Sequence, residues 1–319
     1  MCRLRTFLLF AAFLVAIAAQ AQPYPSHAIK LVVPWPPGGA VDIIGRLVAD
    51  NVSGSIGQPI VIDNRGGAAG AIGSEYVAKS AANGYTLLMG STTVISINPA
   101  LQKLPYSPTD FAPITMVAFV PHILVIPAEV PANNLKEFVA WVKANPGKVS
   151  YASAGPGTPH HIAGEMFKAL AGVEMLQVPY KDTGPALIDL IANRVQFMSV
   201  EAVAALPHVR SGKLKALGVA TPTRNPLAPD IPTVAEAGLP GFEVTAWYGV
   251  VAPMGVPQPA ADLLARNISK ALENATFREK LAGLGAIPVG GTPEQFGDML
   301  KVENAKWGKA IKDANIHLE

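Results

Sequence analysis

The 319-residue sequence has little cysteine, little charge and, after residue 21, no long apolar run. Its single cysteine, Cys2, lies in the leader described below, so the rest of the chain carries no thiol. This excludes disulfides, thiolate metal ligands and a cysteine nucleophile. Charged residues make up 15% of the chain and the formal net charge is +2, which argues against a nucleic-acid partner.

Residues 1–21 have the pattern of a secretory signal peptide. Arg3 and Arg5 form a basic start, residues 7–19 are almost wholly apolar, and Ala19-Gln20-Ala21 has the form of a cleavage site. The apolar run is too short to span a bilayer comfortably. We therefore expect an exported, soluble mature protein that begins near Gln22.

Hydrophobic residues make up 50% of the sequence, and short apolar runs alternate with helical patterns. This order predicts an α/β protein, and its length fits two domains. The predicted strands are residues 29–33, 60–62, 85–90, 149–153, 175–178, 197–200 and 216–220. Longer runs at 114–126, interrupted by Pro121, and at 244–252 are expected to carry the chain between the domains. The proline-rich segment 98–113 is predicted to be a surface excursion.

One stretch, residues 34–42, joins a predicted strand to a predicted helix and contains Gly38 and Gly39. Glycines let backbone N–H groups approach a ligand closely, and a helix start offers unpaired donors and partial positive charge. The stretch is therefore a candidate anion site with Trp35 as an apolar wall. Asp42 fits equally well as a ligand contact and as a structural helix cap.

Three further polar loops follow predicted strands. Ser91, Thr92 and Thr93 come directly after one strand, and the loops 154–159 and 179–184 each precede a helical pattern. Because ligands of open α/β sheets bind at the carboxyl ends of the strands, these loops are candidate binding elements.

A metal site is one alternative use of these residues. His160, His161 and Glu165 are spaced to share part of one helix face. We interpret His160 as a ligand donor near a helix start and His161 as a packing residue. The prediction is accordingly that no metal is bound.

Two enzymatic functions are further alternatives. Ser153, His160 and Asp182 supply the groups of a hydrolase triad, but Ser153 lacks the G-x-S-x-G elbow. Residues 66–73 faintly suggest a dinucleotide loop, without the G-x-G-x-x-G register. We predict a binding protein with no catalytic residue and no cofactor, and keep a hydrolase of small carboxylic esters as an alternative.

An ordered set of short motifs runs through nearly the whole mature chain. They are Pro36-Pro37-Gly38-Gly39-x-x-Asp42, Asp63-Asn64-Arg65, Asn83-Gly84-Tyr85-Thr86, Tyr151-Ala152-Ser153-Ala154-Gly155-x-Gly157-Thr158, His161-x-Ala163-Gly164-Glu165, Val178-Pro179-Tyr180-Lys181, Pro232-Thr233-x-Ala235-Glu236-Ala237-Gly238 and Lys306-Trp307. Together they resemble the substrate-binding proteins of tripartite tricarboxylate transporters, the Bug-type periplasmic receptors.

This resemblance implies a two-lobed periplasmic-binding-protein fold, each lobe a sheet flanked by helices, with the ligand in a cleft between lobes. Residues 22–122 and 247–319 are expected to form lobe 1 and residues 123–246 lobe 2. The implied ligand is a small organic carboxylate, and the implied partners are the membrane permease subunits. We expect a periplasmic monomer. A periplasmic sensor partner uses the same cleft and stays an alternative.

Position by position, the resemblance also implies a set of ligand-binding residues in both lobes. They are Trp35, Pro36, Pro37, Gly38, Gly39, Asp42, Ala69, Ser91, Thr92, Thr93, Ser153, Ala154, Gly155, Thr158, His160, Asp182, Thr183, Glu201, Trp247 and Tyr248.

The chain departs from the family pattern at two places. Asp182 stands where the family usually has glycine, and Val195-Gln196 stands where the family often has Val-Asp; Glu201 follows in a region that often lines the cleft. A carboxylate facing the cleft disfavours a second anionic group on the ligand. The hypothesis is therefore a ligand with one carboxylate and a polar or cationic remainder.

Overall fold

The computed structural model of the protein describes residues 24–181, 183–226, 228–283, 285–313 and 316. The predicted leader at 1–21 and the predicted ligand residue Asp182 lie outside these described residues. Within the described ranges, no helix is both long enough and apolar enough to cross a bilayer.

The first sheet is built on three parallel strands. β1 (Ile29–Val33) lies between β2 (Ile60–Asn64) and β3 (Thr86–Ser91). The crossovers that parallel strands require contain α1 (Ala40–Ile56) and α2 (Ala71–Ala78). Four of the five residues of β1 are buried, as expected of a strand covered on both faces. The carboxyl ends of these strands therefore open on one edge of the sheet.

The longest strand, β4 (Phe111–Pro127), is continuous through Pro121, so the predicted interruption there is wrong. Pro121 is the last residue of β4 to pair with the later antiparallel strand Thr245–Pro253, and His122 is the first to pair with the strand Met198–Glu201. Proline has no backbone N–H to donate to a neighbouring strand. Because β4 changes its pairing partner at Pro121, no such hydrogen bond is needed there, and the strand continues without a break.

The carboxyl half of β4 carries a second sheet. β7 (Met198–Glu201) and β8 (Leu214–Val219) pair with it in antiparallel fashion. β5 (Ser150–Ser153) and β6 (Leu176–Pro179) form a parallel pair, which reaches β7 through a bridge beside its first residue. The single strand β4 therefore belongs to both sheets.

The remaining strands belong to the first sheet, and the remaining helices pack around the two sheets. The last strands, β9 and β10, are Thr245–Pro253 and Ile287–Pro288. The remaining helices α3 to α10 are, in order, Asn98–Leu101, Leu135–Ala144, Pro159–Ala171, Thr183–Ile191, Ala202–Arg210, Gln258–Glu273, Ala275–Gly283 and Pro293–Asp313.

The segment predicted as a surface excursion is partly internal. A π-helical turn (Thr93–Ile97) leads directly into α3, and Asn98 is fully buried. Asn98 Nδ2 donates to the carbonyl of Ala69 at 2.9 Å, and the buried Tyr106 hydroxyl donates to the carbonyl of Val94 at 2.8 Å. Polar residues in this segment therefore satisfy buried backbone carbonyls, a role that composition alone did not indicate.

The carboxyl-terminal helix α10 contacts the cores of both sheets. Near its start, Phe296 packs edge-on against Trp247 in the core of the first sheet. Further along, Trp307 and Ile311 pack with the aromatic cluster of the second sheet, which includes Phe138. This helix thus ties the two parts of the molecule together from outside.

We predict opposite effects of two glycine-to-alanine substitutions. A Cβ added at Gly164, in α5, would lie 2.2 Å from Cε2 of Tyr151 in β5, so Gly164→Ala forces these elements apart and lowers the free energy of unfolding by about 1–3 kcal/mol. Gly54, in α1, has open space around its Cα, so Gly54→Ala raises this free energy by about 0.5–1 kcal/mol. Urea denaturation of both variants checks this; equal effects would contradict the packing.

Candidate functional site

A cavity of about 360 Å³ opens where the two sheets meet. The first turns of four helices, α1, α5, α6 and α7, contribute to its wall, together with the ends of β3 and β7 and two residues of β9. Thirteen predicted ligand residues line it: Trp35, Pro36, Gly38, Gly39, Ser91, Thr92, Thr93, Ala154, Thr158, His160, Thr183, Glu201 and Tyr248.

Twelve further wall residues are not among the individually predicted ligand residues, although some lie in the candidate stretches 34–42, 154–159 and 179–184, and most of them are apolar. Their common signal is position, because many lie in a helix's first turn after a predicted loop. They are Ala40, Val41, Ile43, Ile44, Val120, Pro159, Lys181, Gly184, Leu187, Val203, Ala204 and Ala246. The cavity is thus a mainly apolar chamber with polar groups at the strand and helix ends.

Trp247 is not part of the described wall of the cavity, whereas its neighbour Tyr248 is. Adjacent residues of a strand point to opposite faces of the sheet. Trp247 is fully buried against Phe296, and its backbone N–H donates to Thr92 Oγ1 at 2.8 Å. Trp247 therefore supports the wall residue Thr92 from behind.

Asp42 also lies outside the described wall of the cavity. Its carboxylate accepts hydrogen bonds from the Gly38 N–H at 2.9 Å, Arg46 Nε at 2.9 Å and Asn64 Nδ2 at 2.8 Å. Burial opposes ionisation, but these three bonds outweigh it and lower the pKa of Asp42 below its usual 3.8. Asp42 thus fixes the shape of the glycine loop, which is the structural alternative considered for it.

Four other predicted residues lie outside the described wall: Pro37, Ala69, Ser153 and Gly155. Local bonds account for the last three. The Ala69 carbonyl accepts from Asn98, Ser153 Oγ accepts from Gln177 Nε2 at 3.0 Å, and the Gly155 carbonyl accepts from Thr158 Oγ1 at 2.7 Å. Ser153 Oγ is therefore held by Gln177 of β6.

His161 and Glu165 are used structurally. His161 Nδ1 accepts from the Gly157 N–H at 3.2 Å, and Glu165 accepts from the Tyr151 hydroxyl at 2.5 Å and from Lys168 Nζ at 2.8 Å. These bonds agree with the interpretation of His161 as a packing residue.

The polar floor of the cavity is formed by His160 and Glu201, with His122 behind them. His160 Nε2 lies 2.9 Å from Glu201 Oε2, and all three residues are buried. Burial alone raises the pKa of Glu201, but the attraction and hydrogen bond of His160 outweigh it, so the net pKa is well below the usual value. Burial lowers the pKa of His122 to about 4, which leaves it neutral at pH 7.

Three buried polar atoms of wall residues have no hydrogen-bond partner within the described ranges. They are Nε1 of Trp35, Oγ of Ser91 and Nδ1 of His160. Buried donors left in this way cost about 1–3 kcal/mol each unless a ligand or water satisfies them. The cavity wall thus offers hydrogen bonds that the protein itself does not use.

The molecule has two α/β parts, which share a long strand and enclose a cavity at their strand ends. This architecture is that of the periplasmic binding proteins. Solved structures of this class agree over almost the whole chain. Rpa4515 of R. palustris, solved with adipate, is 35% identical with a TM-score of 0.86, covering 92% of this chain and 99% of that one. MatC (Rpa3494) of Rhodopseudomonas palustris, solved with malate, is 34% identical with a TM-score of 0.83, covering 90% and 100%. The predicted two-lobed fold is confirmed.

The family follows from two further matches. Residues 44–316 match the model of the tripartite tricarboxylate transporter family receptor. The protein BugT of Bordetella pertussis is 36% identical over 308 residues, which cover 96% of this chain and 94% of that protein. The chain belongs to this family of Bug-type receptors, as its motifs predicted.

The bonds of Asp42 predict a pH-dependent loss of stability. The pKa of Asp42 is lower in the folded state than in the unfolded state. Its ionised carboxylate therefore stabilises the folded protein at pH values above the unfolded-state pKa, and this stabilisation is lost as the pH falls through the folded-state pKa. Asp42→Asn should lower the free energy of unfolding by about 1–3 kcal/mol at pH 7, and the difference from the wild type should shrink towards pH 3. Denaturation at several pH values measures this, with the exposed Asp298→Asn as control. A constant difference would contradict the role of the charge.

Proposed function

We propose that this chain is a periplasmic receptor that binds a small organic carboxylate in the cavity and delivers it to the permease subunits of a tripartite transporter. Membership of the receptor family supports this, as do relatives solved with adipate and with malate. Residues 1–21 would direct export and then be removed. The proposed protein binds and releases its ligand unchanged, with no catalytic step.

The observation that carries this proposal is the convergence of helix amino termini on one cavity. A helix start exposes unpaired N–H groups and partial positive charge, which together favour an anion. At three of these helices the residue before the first turn, Gly39, Thr158 or Glu201, makes no side-chain capping bond in the described structure. Backbone donors are therefore left for a ligand from both parts of the molecule.

The other wall groups point to a ligand with one carboxylate. Glu201 holds a negative charge in the floor, so a second carboxylate placed near it would be repelled. Ile44, Val120 and Leu187 offer an apolar surface for a carbon chain or ring. We therefore propose a monocarboxylate with an apolar body and a polar or cationic far end.

We further propose that residues 22–122 and 247–319 form one lobe and residues 123–246 the other, and that the lobes close on the ligand. β4 and β9 both run from one sheet towards the other, so they are the elements about which closure would occur. The receptor is proposed to act as a monomer.

A thermal-shift panel tests the receptor proposal. The mature protein from Gln22, freed of metal with EDTA, is heated with hexanoate, benzoate, amino acids, malate or adipate. A ligand that binds only the folded state raises the unfolding midpoint. We expect shifts with carboxylates, and larger shifts with monocarboxylates than with dicarboxylates. No shift in the panel would contradict the carboxylate proposal, and a preference for dicarboxylates would contradict the role given to Glu201.

A matched pair of serine variants tests the place of binding. Ser91 and Ser96 both have a buried hydroxyl without a partner in the described structure, but only Ser91 lines the cavity. A hydrogen bond to a charged group contributes about 1.5–3 kcal/mol, so Ser91→Ala should weaken binding of the best carboxylate by about 10- to 100-fold. Ser96→Ala should leave the affinity unchanged. Titration calorimetry measures both, and equal affinities would place the ligand elsewhere.

A further inference from the structure

We propose that His122, His160 and Glu201 form a binding site for a divalent first-row transition-metal ion such as Zn²⁺, in the floor of the cavity. The sequence predicts no metal, and the group considered there, His160 and His161 with Glu165, shares only His160 with this site. His122 enters the site from β4, outside every motif that carried the resemblance.

The strands bring these groups together. In the antiparallel pair of β4 and β7, His122 lies directly opposite Glu201, and side chains so placed lie on one face. His160 extends from the first turn of α5 and reaches Glu201 with Nε2 at 2.9 Å from Oε2. The regular structure therefore holds the site, with no flexible loop supplying a ligand.

The spacing suits one shared ion. One nitrogen from each histidine and one oxygen of Glu201 all lie within 4.8 Å of one another. Zn²⁺ binds imidazole nitrogen and carboxylate oxygen at about 2.0–2.2 Å, so two ligand atoms of one tetrahedral ion stand roughly 3.3–3.6 Å apart. The 2.9 Å between His160 Nε2 and Glu201 Oε2 is that of a hydrogen bond, which the ion would replace as this nitrogen loses its proton. The three side chains are therefore close enough to hold one ion after small side-chain movements.

Unpartnered atoms point to a missing bound group. His122 is fully buried, yet its Nε2 has no hydrogen-bond partner among the described residues, and neither does Nδ1 of the buried His160. A buried polar atom is rarely left in this state, because it loses its bond to water without replacement. An ion at the centre of the cluster would use Nε2 of His122.

The second contact of His122 is of the kind that metal-binding histidines make. Its other ring nitrogen, Nδ1, lies 3.2 Å from Ser199 Oγ. Metal-binding histidines usually donate their second N–H to a nearby oxygen, which fixes the ring and leaves the first nitrogen free to bind the ion. Ser199 and Glu201 lie two residues apart on β7 and so face the same side.

The site has a route of entry and an open position. His160 and Glu201 belong to the cavity wall, whereas His122 lies behind them. Three protein ligands leave a position open, as in sites that bind water or substrate. One carboxylate leaves one positive charge on a divalent ion, so an anion is favoured there. Without the ion Glu201 repels a carboxylate, whereas the bound ion would attract one. That the carboxylate ligand then takes this position rests on the proposed function; the metal site itself does not.

A metal titration tests this proposal. The mature protein from Gln22 is first treated with EDTA, and the EDTA is then removed. We expect one equivalent of Zn²⁺ to bind by calorimetry and one equivalent of Co²⁺ to give visible absorption from a nitrogen and oxygen site. His122→Gln should weaken binding by about 100-fold or more, and Ser199→Ala by about 10-fold. His161→Gln, which alters a buried histidine outside the cluster, should bind the metal as the wild type does.

Circular dichroism and the carboxylate thermal shift are recorded for each variant, so that a folding defect is recognised. If His122→Gln fails to fold, Glu201→Gln takes its place. Absence of saturable Zn²⁺ binding by the wild type, or equal binding by His122→Gln and the wild type, would overturn the metal site. Carboxylate binding in the presence of EDTA would support the proposed function whether or not the metal site exists. Metal binding without any carboxylate response would support the metal site and contradict the proposed function.

Discussion

The arrangement of this protein depends on one strand that two sheets share. The amino-terminal half of β4 pairs with β9 and its carboxyl half with β7 and β8. Because backbone hydrogen bonds fix both pairings, the strand ends of one sheet face those of the other across a cavity. The change of partners at Pro121 needs no N–H from that residue, so proline is tolerated inside a long strand. The closing helix α10 then packs on both cores.

The cavity joins two kinds of chemistry that rarely lie so close. Helix starts from both parts of the molecule converge on it and favour an anion. In the same cavity wall, Glu201 carries a negative charge and is hydrogen-bonded to His160. Apolar side chains line the cavity as well, and charge interactions are stronger in surroundings of low dielectric constant. Under the proposed function, such a cavity selects ligands by the position of their charge as well as by their size.

Local pattern predicted the parts of the site that lie in loops between a strand and a helix. Gly38, Gly39 and Thr158 were identified because strand, glycine loop and helix follow one another in the sequence, and all three line the cavity. The pattern does not show on which side of its strand Trp247 lies, because neighbouring residues of a strand face opposite sides and no loop marks which side is the cavity. It also leaves two roles open for Asp42, because they differ only in the direction of its carboxylate.

The sequence by itself determined the absence of thiols beyond Cys2, the alternation of strands and helices and the order of motifs that identifies the family, since each is a local property of the chain. The tertiary structure alone decided which side chains meet. His122 faces Glu201 only because β4 and β7 pair in one register, and a shift by one residue would turn each side chain to the other face. Register is set by packing between distant segments, so the meeting of His122, His160 and Glu201 became visible only in the folded chain.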